Sequence, residues 1–378
     1  MRVLIVLMGY FPAQKYGGPP VSVENFSTVM SDEIETYIVT SDHEMGTSVP
    51  LESIKHDVWQ KHGKSNVLYL SKNEMKEKYY QKIINEVKPD WIYLNSLFDA
   101  KRTWPFLKLA VKNKVKVLLA PRGELCKNAF KKKYKKIPYI WMLGKYLRNP
   151  LVEYQSTCEE ETNAICDILH VSSDRVHSLD NIPSVPSEQR TCKNKERGQL
   201  KIVFFSRLHP KKNLLFALEC LSSVKGNVSF DIYGPQEDSE YWKKCEQYIQ
   251  TLPANITVEY KGIIEHSQIQ KVLNQYQLFF FPTLSENYGH VIAEALFAGL
   301  PILISDQTPW SDVAEYGAGK ALSLDSQEPY VKYLEAQINS DNETYMQMSQ
   351  NAIDYVLIKT DVEKIKGKYR SVFNRVGK

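Results

Sequence analysis

The chain has 378 residues, a formal net charge of +4 at pH 7 and a hydrophobic fraction of 43%. That length exceeds one ordinary hydrophobic core, so two domains are expected. The modest charge argues against nucleic acid as the main partner. No apolar run approaches the roughly 20 residues of a membrane-spanning helix.

The first eight residues, Met1-Arg2-Val3-Leu4-Ile5-Val6-Leu7-Met8, run into Gly9-Tyr10-Phe11-Pro12 without a small-residue cleavage site. They read as a buried first strand and not as a signal peptide, which points to a cytoplasmic chain. Gly17-Gly18 comes next, before Pro19-Pro20. No Gly-Lys-Ser/Thr follows, and G-x-G-x-x-G is absent, so neither a P-loop nor a dinucleotide fingerprint is present. The glycine pair suits close approach of backbone to a phosphate or sugar, and equally a flexible turn.

Strand-like runs continue at 36–40, 67–70, 91–94 and 115–120, with helix-like segments between them. Residues 127–148 then carry eight basic residues and no acid, interleaved with aromatics. Lys131, Lys132, Lys133, Lys135, Lys136 and Trp141 are the candidates for contact with an anionic membrane surface or a phosphorylated lipid acceptor. A nucleic-acid contact and a plain solvated helix face are the rival readings of this stretch. Asn181 to Ser187 and the polar 190–199 read as an interdomain linker.

The strand and helix alternation restarts near residue 200, with strands at 202–206, 228–233, 257–260, 278–281 and 302–305. Short continuous apolar strands separated by helices imply parallel sheets covered on both faces. The first of these strands ends in Ser206-Arg207-Leu208-His209-Pro210-Lys211-Lys212-Asn213. Arg207 and Lys212 leave a strand's carboxyl end and enter a helix N-terminus, an unfavourable place for cations unless an anion binds there. The last pair of strands brackets Ser285-Glu286-Asn287-Tyr288-Gly289-His290 and a helix expected from near Tyr288 to Gly299. Glu286 and Glu294 flank the start of that helix. Eight helical steps between them amount to roughly 12 Å of rise. Free amides of the first turn would lie between the acids, a cradle for phosphate. That order of acid, anion cradle and acid matches the sugar, diphosphate and ribose of a nucleotide-sugar. The spacing is a poor match to the carboxyl pairs of retaining or inverting glycosidases.

The eight histidines show no H-x-x-x-H spacing, and neither D-x-D nor G-x-S-x-G occurs, so no metal site and no hydrolase elbow are expected. The six cysteines lack any C-x-x-C pair and read as free thiols.

Glu286-Asn287-Tyr288-Gly289-His290 through Glu294, followed by Ala298-Gly299-Leu300-Pro301, resembles the E-x7-E region of family 4 retaining glycosyltransferases. Ser206-Arg207-Leu208 with Lys212-Asn213 resembles that family's phosphate-binding segment. Tyr233-Gly234-Pro235 and Tyr260-Lys261-Gly262 fall where its later strand ends carry glycines. The likeness covers most of residues 200–310 and is weaker in the first half, through Gly17-Gly18 and Pro121-Arg122-Gly123.

The resemblance implies an α/β GT-B architecture, two Rossmann-like doubly wound domains facing across a cleft. Residues 1–185 would form the acceptor-side domain and 190–342 the donor domain, with helices from about 343 to 378 crossing back onto the first. It implies a retaining, metal-independent transferase of bacterial polysaccharide-biosynthesis type that moves a sugar from a nucleotide-diphosphate sugar to a saccharide or lipid-linked acceptor. No cofactor is implied, and a UDP-sugar is favoured over a GDP-sugar. By resemblance Arg207 and Lys212 neutralise the diphosphate, Glu286 contacts the donor sugar and Glu294 the ribose. Amides around Asn287, Tyr288, Gly289 and His290 hold sugar and phosphate, with Gly17 and Gly18 on the donor from the first domain. Two departures stand out. The first-domain histidine of many members is missing, leaving Arg122 to take part of its role. The usual Glu-Gly-Phe-Gly is Glu-Asn-Tyr-Gly here. A nucleotide-sugar epimerase and a non-catalytic nucleotide-sugar-binding protein are the alternatives. Association with the inner face of the plasma membrane is a separate expectation.

Overall fold

The structure, a computed structural model, describes residues 1–127, 130, 133–184 and 194–375. The chain divides into two compact units, Met1–Ile182 with Val362–Lys378, and Pro183–Asp361. The linker expected over 181–199 lies partly outside the described residues.

The first unit is built on β1 (Arg2–Val6), β2 (Glu35–Ser41), β3 (Gln60–His62), β4 (Ser65–Leu70), β5 (Trp91–Asn95), β6 (Lys116–Ala120), β7 (Val152–Ser156) and β8 (Val176–Ser178). They form one sheet in the order β3-β4-β2-β1-β5-β6-β7-β8, parallel except for β3 against β4. Val3 sits between Thr36 and Trp91 of its neighbours. Alternate residues serve opposite faces of the sheet. Leu4, Val6, Ile92 and Leu94 pack in one apolar cluster, and Val3, Ile5, Leu7 and Tyr93 in another. Helices α1 (Gly18–Val29), α2 (Glu77–Val87), α3 (Thr103–Lys112), α4 (Lys133–Leu147) and α5 (Glu159–Leu169) connect the strands. In α2 the buried residues Tyr80, Ile83, Ile84 and Val87 make the apolar stripe of a helix laid on a sheet.

Strand β7 was not expected, because Val-Glu-Tyr-Gln-Ser lacks an apolar run. Its Gln155 is buried and fully engaged. The side-chain amide donates to the Leu179 carbonyl at 2.9 Å and to the Tyr369 hydroxyl at 3.0 Å, and the Tyr93 hydroxyl donates to its carbonyl oxygen. A polar residue with all its partners satisfied is compatible with a core strand.

The second unit contains β9 (Gln199–Phe205), β10 (Asn227–Tyr233), β11 (Ile256–Gly262), β12 (Leu278–Phe281), β13 (Ile302–Ser305) and β14 (Gly319–Leu322), all parallel, in the order β11-β10-β9-β12-β13-β14. This is the 3-2-1-4-5-6 order of a doubly wound nucleotide-binding fold, whose strand order reverses between β9 and β12. Helices α6 (Leu214–Leu221), α7 (Ser239–Ile249), α8 (Ile269–Leu273), α9 (His290–Phe297), α10 (Glu328–Asn339) and α11 (Asn342–Lys359) complete the unit.

The return to the first unit comes later than expected. Helix α11 stays with the second unit. Its Ala352, Tyr355 and Val356 join that unit's core, and the Tyr355 hydroxyl donates to Asp312 at 2.5 Å. Only α12 (Val362–Phe373) belongs to the first unit. There the indole of Trp91 donates to the Phe373 carbonyl at 3.1 Å, and Lys368 pairs with Asp180 at 2.7 Å.

Candidate functional site

In open α/β sheets ligands bind outside the carboxyl ends of strands, where the strand order reverses. The loops that leave β9 and β12 flank that point, and they carry the predicted cations and acids. After β9, Leu208 is buried and its amide donates to the Pro235 carbonyl at 2.8 Å. A short 3-10 turn over Pro210–Lys212 then leads through Asn213 into α6. The Lys211 carbonyl accepts from the Leu284 amide at 2.8 Å and the Thr283 hydroxyl at 3.1 Å. These two bonds tie the β9 loop to the β12 loop and bring Lys212 onto Glu286.

The Lys212 ammonium donates to the Glu286 carboxylate, and the two side chains are only 11% and 14% exposed. The same ammonium lies 5.5 Å from the ring centre of Phe281. Glu286 was expected to contact the donor sugar, and here it pairs with Lys212. Arg207 is likewise paired, with Glu237 at 2.7 Å. The Lys211 side chain reaches solvent, yet packing around it lowers its pKa from the usual lysine value. Lys212 and Arg207 push the same way and Glu286 opposes them. All four charges therefore act within one site.

Helix α9 is shorter than expected. Asn287 and Tyr288 are not helical, and Gly289 is the N-cap with φ 78. The left-handed φ is what favours glycine here, since a Cβ would meet only the flexible end of Ile292 at 2.9 Å. The indole of Trp310 donates to the Tyr288 carbonyl at 2.6 Å and fixes the approach, with the rings of Tyr288 and His290 4.8 Å apart. At the other end Gly299 is left-handed with φ 66, as expected. The Gly299 amide donates to Leu296 at 2.8 Å and the Leu300 amide to Ala295 at 2.9 Å, a Schellman motif.

Glu294 is therefore the fifth residue of α9, about one turn in and not two. Only four of the eight steps from Glu286 are helical, roughly 6 Å of rise. Glu294 is 3% exposed. One carboxylate oxygen lies 3.1 Å from His266 Nε2. A buried carboxylate held by one oxygen is suited to accept from a ligand hydroxyl. The sequence reading missed His266 because histidines were weighed only for metal spacing. Its place just after the carboxyl end of β11 was the available signal. Among the described residues no three His, Cys, Asp or Glu side chains gather as a metal site.

Gly17, Gly18 and Arg122 belong to the first unit. Gly17 has φ 74 and caps α1, a conformation natural to glycine. The Arg122 guanidinium is engaged inside its own unit. It donates to Asn95 at 3.1 Å, to Asn181 at 2.6 Å and to the Tyr93 hydroxyl at 2.9 Å. These bonds join the loop after β6 to the end of β5 and to Asn181.

Of the basic segment, Lys131 and Lys132 lie outside the described residues, as do the side chains of Lys133 and Lys135. Lys136 departs from the expected basic face. Its ammonium donates to the Glu124 carbonyl at 3.2 Å and covers the ring of Phe98 at 4.5 Å. Trp141 is 83% exposed. Among the described residues no helix is long and apolar enough to cross a membrane.

Residues 187–355 match the model of the family described as glycosyl transferases group 1. That segment is similar to the family and makes up less than half of the chain. It includes every second-unit site residue above. Two curated relatives align with parts of the chain. The UDP-N-acetylglucosamine–peptide N-acetylglucosaminyltransferase GtfA subunit of Streptococcus parasanguinis is 28% identical over 32% of this chain and 24% of its own length. The phosphatidylinositol N-acetylglucosaminyltransferase GPI3 subunit of Saccharomyces cerevisiae is 26% identical over 39% of this chain and 33% of its own. The chain thus spans a third or less of the length of these curated relatives. Crystalline HepE of Anabaena, in complex with UDP and glucose, superposes over 100% of both chains with a TM-score of 0.74 at 14% identity. That likeness shows the fold alone, two Rossmann-like parallel-sheet units of the GT-B kind.

Proposed function

We propose that this chain is a retaining glycosyltransferase that moves a sugar from a UDP-sugar to a saccharide or lipid-linked saccharide in cell-surface polysaccharide synthesis. The observation that carries the reading is the gathering of Arg207, Lys212, Glu286 and the Gly289-capped helix at the strand-order reversal, with Glu294 buried beside it. Arg207 and Lys212 bind the diphosphate, exchanging Glu237 and Glu286 for phosphate oxygens. The freed Glu286 accepts hydrogen bonds from donor sugar hydroxyls, and Glu294 from the ribose. Two cations and a helix N-terminus stabilise the leaving diphosphate as its charge develops, without a metal. The acceptor hydroxyl attacks from the face the diphosphate leaves, giving its proton to a phosphate oxygen. The names of the streptococcal relative and of the Anabaena complex support uracil as the base.

Arg207→Ala and Glu294→Ala are each expected to weaken UDP binding by about 1.5–3 kcal/mol, the size of a hydrogen bond to a charged group. Calorimetric titration of the full chain reads this, and parent-like binding in both variants removes the site assignment. With a competent acceptor, the product's anomeric configuration by NMR must match the donor's. Conversion of donor alone would replace the transferase reading by an epimerase.

Helix α4 supports membrane docking. Tyr134, Ile137 and Trp141 share one face at 71%, 52% and 83% exposure, in a segment with no acid. Trp141→Glu, and separately replacement of Lys131–Lys133 by Ser, are expected to lower partition onto vesicles containing anionic lipid. The expected loss is about 1 kcal/mol per lysine. Unchanged vesicle binding in both variants ends the membrane proposal.

A further inference from the structure

We propose that His266 is a positioning residue that locks the Glu294 carboxylate in one orientation and thereby makes the site select ribose over 2′-deoxyribose. The inference rests on the reading of Glu294 as the ribose contact.

A glutamate has three side-chain torsions, and ordering them on binding subtracts from affinity. Here the ordering is done in advance. His266 opens the 3-10 turn that joins β11 to α8, and Gln270 lies one turn further along the same segment. His266 Nε2 sits 3.1 Å from Glu294 Oε1. The Gln270 side-chain amide donates to the Glu294 carbonyl at 3.0 Å. One short segment thus grips both the side chain and the backbone of the same residue. The Ser184 hydroxyl lies 3.5 Å from the same Nε2, a longer and weaker contact. His266 is 23% exposed at its side chain against 4% for Glu294, so the carboxylate is the deeper member. With Oε1 held, Oε2 is the oxygen that accepts from a ligand hydroxyl. A carboxylate on a residue only 3% exposed loses most when the hydroxyl is missing, because little water can replace it.

The test is calorimetric titration of the full chain with UDP and with 2′-deoxy-UDP. The parent is expected to prefer UDP by roughly tenfold or more, the size of one charge-assisted hydrogen bond. His266→Gln keeps an N–H donor and discards the ring, so it should keep the preference. His266→Phe keeps the ring and discards the donor, so UDP binding should fall to the deoxy level. A role in packing alone predicts the reverse order, with Phe tolerated and Gln damaged. The proposal is overturned if His266→Phe keeps the preference, or if it weakens both ligands equally. Ligand-free thermal unfolding identifies any variant that fails to fold, and the remaining histidine variant still discriminates donor from ring. Glu294→Ala separates the two levels. If it leaves the preference intact, the ribose assignment itself fails. If it abolishes the preference while His266→Phe does not, only the positioning role fails.

Discussion

Lys212→Met is expected to lower stability by about 3 kcal/mol and UDP affinity by roughly 10- to 150-fold. The two losses have different origins. Lys212 and Glu286 are only 11% and 14% exposed, so removing the cation strands a carboxylate with little water to solvate it. Taking one partner from a buried pair costs about 3–5 kcal/mol, and the partial exposure here favours the low end. Affinity falls because a point charge on the diphosphate is gone. Adding Glu286→Gln removes the stranded charge. The double variant should therefore recover most of the stability and none of the UDP binding. Chemical denaturation and calorimetry on the same samples read both. If the double variant binds UDP like the parent, Lys212 is a structural partner of Glu286 and not a phosphate ligand.

Gly234→Ala should be the most damaging glycine substitution near the site, at about 3 kcal/mol. Gly234 follows β10 with φ 131, and a Cβ there would sit 1.9 Å from the Ser206 carbonyl oxygen and 2.6 Å from its carbon. Backbone cannot swing aside as a side chain does, so the β9 loop must shift and carry Arg207 with it. UDP binding should fall together with stability. Gly262→Ala is the control, because Gly262 has φ 80 and open space within 4 Å. It should cost about 1 kcal/mol from left-handed strain alone. Equal denaturation midpoints for the two variants would show that close approach to Ser206 is not what requires glycine.

Much of the fold was legible because parallel strands buried on both faces must be continuously apolar. Runs such as Val3–Leu7 and Leu278–Phe281 announce themselves in that way. Strand β7 did not, since its burial depends on Gln155 finding partners on other strands and on α12. The bounds of α9 were misread for a related reason. Asn287-Tyr288 has no local signal against helix, and the turn is fixed by Trp310 from a distant loop. The late return of the chain at Val362 is equally non-local, because α11 is claimed by packing with the second unit.

For the site, the sequence by itself determined which groups are present and in what order. Arg207 and Lys212 leave one strand, Glu286 and Glu294 flank one helix, and glycines stand at the caps. Those facts follow from local chemistry, since strand ends, caps and charge in unfavourable places are properties of a few neighbouring residues. The tertiary structure decided the pairing. It set Lys212 on Glu286, Arg207 on Glu237 and His266 on Glu294, contacts spanning 28 to 74 positions along the chain. It also engaged Arg122 and Lys136 in hydrogen bonds within the first unit. A charge seeks whatever partner folding brings within about 4 Å, and nothing in the spacing of one segment records what a distant loop will deliver.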